Sequence, residues 1–338
     1  MKMSNSTLIT GGTGSFGRAF VKKIIAENKK LKRLVIYSRD ELKQYEMSRE
    51  FSESKYPFIR YFIGDVRDLP RLKLAMQDID CVIHAAALKQ VPAAEYNPIE
   101  FVKTNVIGAQ NIIEASLSSK VKKVIALSTD KACAPINLYG ATKLCSDKLF
   151  IAANNLSGKS KIRFSIVRYG NVFGSRGSVA PLFLKQKNTG YFTLTDKNMT
   201  RFNISLEDGV KTVIWGIKNF YGGEILVPKI PSFRVTDLIS AFNTRDKIKT
   251  IGIRKGEKLH EEMITTSDSI NTIDIKNYYL ILAGNDNKCL QYYKNIFKAK
   301  FVPKNFSYAS NKNNKYLKIN DLKKILKEYV HSQNKINY

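Results

Sequence analysis

Histidine is scarce in this 338-residue chain: His84, His260 and His331 stand far apart, and the four cysteines, Cys81, Cys133, Cys145 and Cys289, form no Cys-x-x-Cys pair. Without clustered imidazoles or paired thiols, neither a zinc site nor a disulfide framework is supported, and no metal is expected. No apolar run is long enough to cross a bilayer, and the amino terminus passes from Met1 to Ser6 straight into a strand with no signal-peptide core. These absences point to a cytoplasmic protein without membrane insertion, in which sequons such as Asn198-Met199-Thr200 carry no meaning. Acidic residues are also few, 29 against 56 lysines and arginines, for a net charge of +27. Such an excess invites an anionic partner, whether nucleic acid, a membrane surface or a phosphorylated small molecule. The basic residues are spread along the chain and are not interleaved with stacking aromatics, which favours a lysine-rich solvated surface over a nucleic-acid groove.

What is present is ordered around residues 127–143, LSTDKACAPINLYGATK. This stretch closes an apolar run from Val121 to Leu127 that has the length and β-branched content of a strand buried in a sheet. Ser128, Thr129, Asp130 and Lys131 then stand just past the strand's carboxyl end, the edge of an open α/β sheet at which ligands bind. Hydroxyl, acid and amine in consecutive positions there form a candidate reactive cluster. Pro135 breaks the chain before a helix beginning near Asn137, on which Tyr139 and Lys143, four residues apart, share a face. A cation beside the phenol lowers its pKa and makes it a usable base near neutral pH. The same spacing occurs on many solvated helix faces; the adjoining cluster is what favours chemistry here.

The rest of the chain supplies the scaffold. Ser6 to Thr10 reads as a strand running into Gly11-x-x-Gly14-x-x-Gly17, with an amphipathic helix from Arg18 to Glu27 behind it. Glycines so spaced let the backbone turn tightly, approach a pyrophosphate and pack helix on strand. A second strand, Arg33 to Tyr37, ends in Ser38, Arg39 and Asp40 and is followed by Lys43. An acid at this point bonds the ribose 2′-hydroxyl of NAD, whereas an arginine accommodates a 2′-phosphate, so Ser38, Arg39 and Lys43 argue for NADP and Asp40 for NAD. A third strand, Arg60 to Ile63, leads to Asp65, placed to bond an adenine amino group. A fourth, Cys81 to His84, leads to Ala85, Ala86 and Ala87, small enough for close cofactor approach, and to Lys89, which could meet substrate. A helix over 100–116 precedes the central strand, and Arg163 to Arg168 follows the Tyr139 helix, with Arg168 and Arg176 candidates for phosphate. This alternation predicts a doubly wound parallel sheet. It weakens from about Val179, so 1–178, with returning segments of the later chain, reads as a cofactor-binding domain. Residues 179–338 read mainly as a smaller C-terminal substrate domain with a Lys/Asn-rich tail and a short helix from Ile319 to Tyr329.

Together TGGTGSFG, GDVRD and the Tyr139/Lys143 pair resemble the extended short-chain dehydrogenase/reductase superfamily, whose fold is Rossmann-like. More narrowly, YSRDELKQ at Tyr37, HAAALK at His84, STDKA at Ser128, RYGNVFGSRGSV at Arg168, MTRF at Met199 and GIRKGEKLHE at Gly252 resemble the inverting UDP-N-acetylglucosamine 4,6-dehydratases of pseudaminic acid and capsule polysaccharide biosynthesis. Gln90, where the pseudaminic branch often has histidine, and Ala134, where asparagine is common, depart from the pattern. The resemblance implies conversion of UDP-N-acetylglucosamine to UDP-2-acetamido-2,6-dideoxy-β-L-arabino-hexos-4-ulose on tightly bound NADP, regenerated each turnover. Thr129, Asp130, Lys131, Tyr139 and Lys143 would be catalytic: Tyr139 takes the 4-hydroxyl proton, Thr129 bonds the 4-oxygen, Lys131 as a neutral amine removes the C5 proton and Asp130 protonates the leaving 6-hydroxyl. By the same resemblance Gly11, Thr13, Gly14, Ser15, Phe16, Gly17, Ser38, Arg39, Asp40, Lys43, Asp65, Val66, Ala85, Ala86, Ala87, Thr104 and Val172 would join Tyr139 and Lys143 around the cofactor. Lys89, Asn171, Val179, Arg201, Arg254 and Glu257 would hold the UDP-sugar. Relatives assemble as homo-oligomers, often hexamers. The rivals are a retaining 4,6-dehydratase or a UDP-sugar 4-epimerase, the latter having no need of the Asp130–Lys131 pair, and a non-catalytic nucleic-acid-binding protein suggested by the charge.

Overall fold

A computed structural model describes residues 4–175, 178–284 and 287–334. Six strands, β1 (Ser6–Thr10), β2 (Arg33–Ser38), β3 (Ile59–Ile63), β4 (Cys81–His84), β5 (Lys123–Thr129) and β6 (Arg163–Tyr169), pair in parallel in the order β3-β2-β1-β4-β5-β6. Every residue of β1 and β4 is buried, because helices cover both faces of the sheet. That double cover is why these strands read as continuous apolar runs rather than alternating ones. Chain order reverses between β1 and β4, and the crevice at that switch point opens above the strands' carboxyl ends.

The sheet is wider than six strands. Ile225–Pro228 pairs in parallel with β6, and Tyr278–Ile281, Thr272–Asp274 and Lys300–Phe301 extend that edge by antiparallel pairing, giving ten strands in all. The later half of the chain therefore returns to the large sheet. A separate small core gathers Phe183, Phe192, Leu238, Phe242, Leu322 and Leu326. Beside it lies a three-stranded sheet of Ser232–Arg234, Thr200–Ile204 and Asn171–Val172.

Several boundaries move relative to the sequence reading. The helix after the glycine loop, α1 (Ser15–Glu27), begins at Ser15 instead of Arg18. Beyond α2 (Glu41–Glu50), α3 (Leu69–Ala75) and α4 (Val91–Tyr96), the single helix expected over 100–116 is three pieces: α5 (Pro98–Phe101), a π-helical stretch Val102–Ile107, and α6 (Gly108–Leu117). The central strand runs through Ser128 and Thr129, which end β5 rather than follow it, and Asp130–Ala132 forms one 3₁₀ turn. The last helix continues past Tyr329 to Asn334. Among the described residues no helix is long and apolar enough to cross a membrane.

Candidate active site

The glycine loop is shaped for close approach. Gly11 adopts φ +64°, and a Cβ there would lie 3.0 Å from the Ala86 backbone; a Cβ on Gly17 would lie 2.2 Å from the Gly12 carbonyl oxygen. Only glycine lets α1 start this near the end of β1, presenting free backbone N–H groups and the positive end of the helix dipole to an anion. Thr10 at the end of β1 accepts hydrogen bonds from the amides of Ala85 and Ala86 at 3.2 Å, fixing the alanine loop opposite. Further along, the hydroxyls of Thr13 and Ser38 are 2.8 Å apart.

Helix α7 (Leu138–Ala152), which carries Tyr139 and Lys143, is positioned by two devices. Asn137 caps it, accepting a hydrogen bond from the Gly140 amide at 2.8 Å. A Cβ on Gly140 would meet the Lys131 carbonyl oxygen at 2.2 Å, so this glycine presses the first turn of α7 onto the Asp130–Lys131 turn. The result is a cleft of about 580 Å³ running from the glycine loop to the end of β5. Gly11, Thr13, Gly14, Ser15, Phe16 and Gly17 line it, as do Ser38, Arg39, Asp40 and Lys43 at the far end. Asp65, Val66, Ala85, Ala86, Ala87, Thr104 and Val172 complete that half, and Lys89, Thr129, Asp130, Lys131, Tyr139, Lys143 and Asn171 surround the other.

Four expected residues lie outside this cleft. Val179 opens the helix Val179–Gln186 and packs on the small core. Arg254 is exposed on its loop. Glu257 and the buried Arg201 pair with each other at 3.4 Å, and Arg201 also lies 3.9 Å from Glu261, which pairs with Lys131 of the cleft. Arg168 needs correction as a phosphate ligand: its side chain is 3% exposed, paired with Asp147 at 3.1 Å and bonded to the Met263 carbonyl at 3.1 Å, so it is spent inside the protein. Arg176 lies outside the described residues. Asp40 caps α2, accepting from the Lys43 amide at 3.0 Å, and also pairs with the Lys43 ammonium, which joins the two groups the sequence set in opposition.

The electrostatics of the resting site follow from burial and from neighbouring charges. Burial pushes the Tyr139 phenol up to about 12, against the opposing pull of Lys131 and a Thr129 hydrogen bond. The cation that acts on Tyr139 is thus Lys131, whereas Lys143 donates to the Leu127 carbonyl at 2.7 Å. Lys143 is itself held below its ordinary range by burial, with Asp147 opposing. Lys131 is not a neutral amine at rest. Burial alone would lower its pKa, but the carboxylates of Asp130 and Glu261, each 3.1 Å from its Nζ, outweigh burial and raise it. Asp130, 1% exposed, is raised by burial and by the charge of Glu261.

Glu261 is the neighbour that reasoning along the chain missed. It lies far from Lys131 in sequence, within a segment recognisable only as the phrase GEKLHE, and only the folded strand Glu262–Ile264 brings it alongside. A second missed group is Asn105 in the π-helical stretch. It bonds both backbone groups of Leu88 at 2.9 Å and the Thr142 hydroxyl at 3.1 Å, linking the loop after β4 to α7.

An open, mainly parallel sheet with a glycine loop at its switch point, and a Tyr and Lys on the helix after the central strand, defines an extended short-chain dehydrogenase/reductase. Within that class the chain belongs to the family described as polysaccharide biosynthesis protein, whose profile matches residues 7–283. It is 59% identical over 276 residues, 81% of each chain, to the UDP-N-acetylglucosamine 4,6-dehydratase (inverting) of Campylobacter jejuni subsp. jejuni serotype O:2. It is 40% identical over 334 residues, 96% of each chain, to a UDP-glucose 4-epimerase of Rickettsia bellii. The X-ray structure of Pen from Bacillus thuringiensis matches it with a TM-score of 0.87 at 36% identity, covering 97% of this chain and 99% of that one.

Proposed function

We propose that this protein is an inverting UDP-N-acetylglucosamine 4,6-dehydratase that uses NADP, with Thr129, Asp130, Lys131, Tyr139 and Lys143 as its catalytic residues. The observation that carries this reading is the buried contact of Lys131 with Asp130, 3.1 Å, beside Tyr139 in the cleft that the glycine loop enters. A 4-epimerisation, the activity in the name of the 40% identical relative, needs a base at the 4-hydroxyl but no acid and base pair for elimination.

The cradle fits a dinucleotide. The glycine loop would take the pyrophosphate and Asp65, whose carboxylate accepts from Arg67 and stays below the ordinary range despite burial, would meet the adenine. Asp40 is occupied as cap and ion-pair partner, which leaves Ser38 and Arg39 to receive a 2′-phosphate and supports NADP over NAD. When bound, NADP supplies the hydride acceptor for C4 and the donor for C6.

The chain's own residues handle protons. Tyr139 receives the 4-hydroxyl proton as the phenolate, the form that Lys131 and the Thr129 hydrogen bond favour against burial, with Thr129 bonding the same oxygen, and the resulting ketone acidifies the proton on C5. One proton shift across the Lys131–Asp130 contact converts the resting ion pair into a neutral amine and a carboxylic acid. The amine then removes the C5 proton while the acid protonates the departing 6-hydroxyl, so both elimination roles arise from a single internal transfer. Lys89, its pKa lowered by burial and by the charge of Lys131, stands at the open end to meet the substrate with Asn171. The small core and its strands form the substrate side, where Val179, Arg201, Arg254 and Glu257 would hold the UDP-sugar after the sugar nucleotide docks. The product enters pseudaminic acid or capsule sugar synthesis, and the protein assembles as a homo-oligomer.

Incubation with UDP-N-acetylglucosamine and NADP in deuterated water, followed by proton NMR, tests the proposal. A new methyl signal, deuterium at C5 and L-arabino couplings are expected. Conversion to the 4-epimer with no methyl signal would establish the epimerase, D-xylo couplings would establish the retaining dehydratase, and an inert sugar would overturn the assignment.

A further inference from the structure

Lys131 is held by two carboxylates, and the second has no place in the roles above. Glu261 is 2% exposed, and its backbone is fixed on both sides by Ser310: the Glu261 amide donates to Ser310 Oγ at 2.9 Å and the Ser310 amide donates to the Glu261 carbonyl at 2.7 Å. The segment leading to it is strapped onto the catalytic turn. Asn137, the cap of α7, donates to the Gly256 carbonyl at 2.7 Å, and Lys258 donates to the Cys133 carbonyl at 2.6 Å. Behind Glu261 stands Arg201, bonded to the carbonyls of Thr200 and Leu259 at 2.8 and 3.0 Å. A buried carboxylate clamped this firmly, and in contact with the one amine the elimination requires, is a built feature.

We propose that Glu261 is a positioning residue for the elimination: backed by Arg201, its carboxylate holds the Lys131 amine toward the cleft and, by staying ionised, leaves Asp130 as the carboxyl that exchanges a proton with it. The inference deepens the dehydratase reading and rests on it for its catalytic consequence. The physical argument is charge placement. Opposite charges favour ionisation and like charges disfavour it, so an ionised Glu261 raises the proton affinity of both Lys131 and Asp130. Lys131 and Arg201 together keep Glu261 below the ordinary carboxylate range in spite of its burial. With Glu261 ionised, two of the three groups share one mobile proton, and Asp130 is the carboxyl able to take it. The groups facing Lys131 are Asp130 on its own turn, Glu261 and Arg201 behind it, Tyr139 on α7 and Lys89 from the loop after β4.

Glu261→Gln and the shorter Glu261→Asp test this by two readouts. In the first, purified protein is labelled with acetic anhydride across a pH series, and acylation of Lys131 is followed by peptide mass spectrometry. Loss of a carboxylate at 3.1 Å is expected to lower the labelling midpoint by about one pH unit or more in Glu261→Gln, with a smaller change in Glu261→Asp. An unchanged midpoint in Glu261→Gln overturns the proposal. This readout needs no turnover, so it stands apart from the fate of the dehydratase reading. In the second, steady-state kinetics with UDP-N-acetylglucosamine should show kcat lost, KM held, and the pH limb reporting Lys131 moved toward acid, with Glu261→Asp partly restoring kcat. A loss confined to KM, or one without a shifted limb, also overturns it. If neither variant folds, the parent protein decides: its Lys131 midpoint should lie above the ~10.4 of an ordinary lysine, and a midpoint at or below that value refutes the two-carboxylate hold.

Discussion

Replacing Asp147 by alanine should damage this protein more than any surface change, and the structure sets the size of the effect. Asp147 Oδ2 accepts a hydrogen bond from the Ser128 hydroxyl at 2.7 Å and from Arg168 Nη2 at 3.1 Å, with the side chains of Asp147 and Arg168 1% and 3% exposed. Removing one partner of a buried ion pair leaves an uncompensated charge and costs about 3–5 kcal/mol. Unfolding entropy near 60 °C is about 2.1 cal/mol/K per residue. Over 338 residues that is about 0.7 kcal/mol/K, so the melting temperature should fall by about 4–7 °C. Differential scanning calorimetry at one pH, protein concentration and cofactor concentration measures it, since bound ligand and assembly both shift the transition. The double variant Asp147→Leu with Arg168→Met removes both charges at similar volume and should recover most of the loss, because an apolar replacement of a buried pair is often neutral or stabilising. A single variant that melts within about 1 °C of the parent, or a double variant as unstable as the single, would refute the reasoning.

Three further outcomes follow from named contacts. Burial lowers the pKa of His84 from 6.5 to about 3, so between those values only the unfolded chain takes up this proton, and stability should fall by about 1.4 kcal/mol per unit as pH drops below 6.5; urea midpoints at pH 6.5 and 5 should differ less in His84→Gln than in the parent, and equal differences would contradict the buried neutral imidazole. Gly17→Ala places a Cβ 2.2 Å from the Gly12 carbonyl, so α1 must shift away from β1; nucleotide affinity measured by calorimetry should collapse, and an alanine variant that binds NADP like the parent would dismiss the cradle. Tyr139→Phe should lower kcat by about 10²- to 10⁴-fold while leaving cofactor affinity unchanged, and near-normal kcat would remove the phenol from the reaction.

How far the chain could be read in advance varied with the range of the interaction. The glycine loop, the alternation of strand and helix, and the four-residue spacing of Tyr139 and Lys143 are local patterns, written within a turn or a strand of sequence. They sufficed for the Rossmann-like sheet and for most residues lining the cleft. The antiparallel edge of the sheet was not legible in the same way. Thr272–Asp274 and Lys300–Phe301 are three- and two-residue strands whose pairing is set by partners elsewhere, and so short a segment carries no period.

Arg168 shows the limit within the site. As sequence it is a basic residue beside a ligand-binding sheet edge; as structure it is a buried counter-ion for Asp147, and the difference is which way one strand residue faces. The charge state of Lys131 shows it again. Its neighbour Asp130 is visible in the sequence, but Glu261 is the residue just before the strand Glu262–Ile264 in the later half of the chain, 3.1 Å away only after folding. By itself the sequence determined which chemical groups are available and which elements carry them, because turn chemistry and hydrophobic period are local. Tertiary structure alone decided which of those groups share a dry space, and in a dry space the distance to the nearest opposite charge sets where a proton resides.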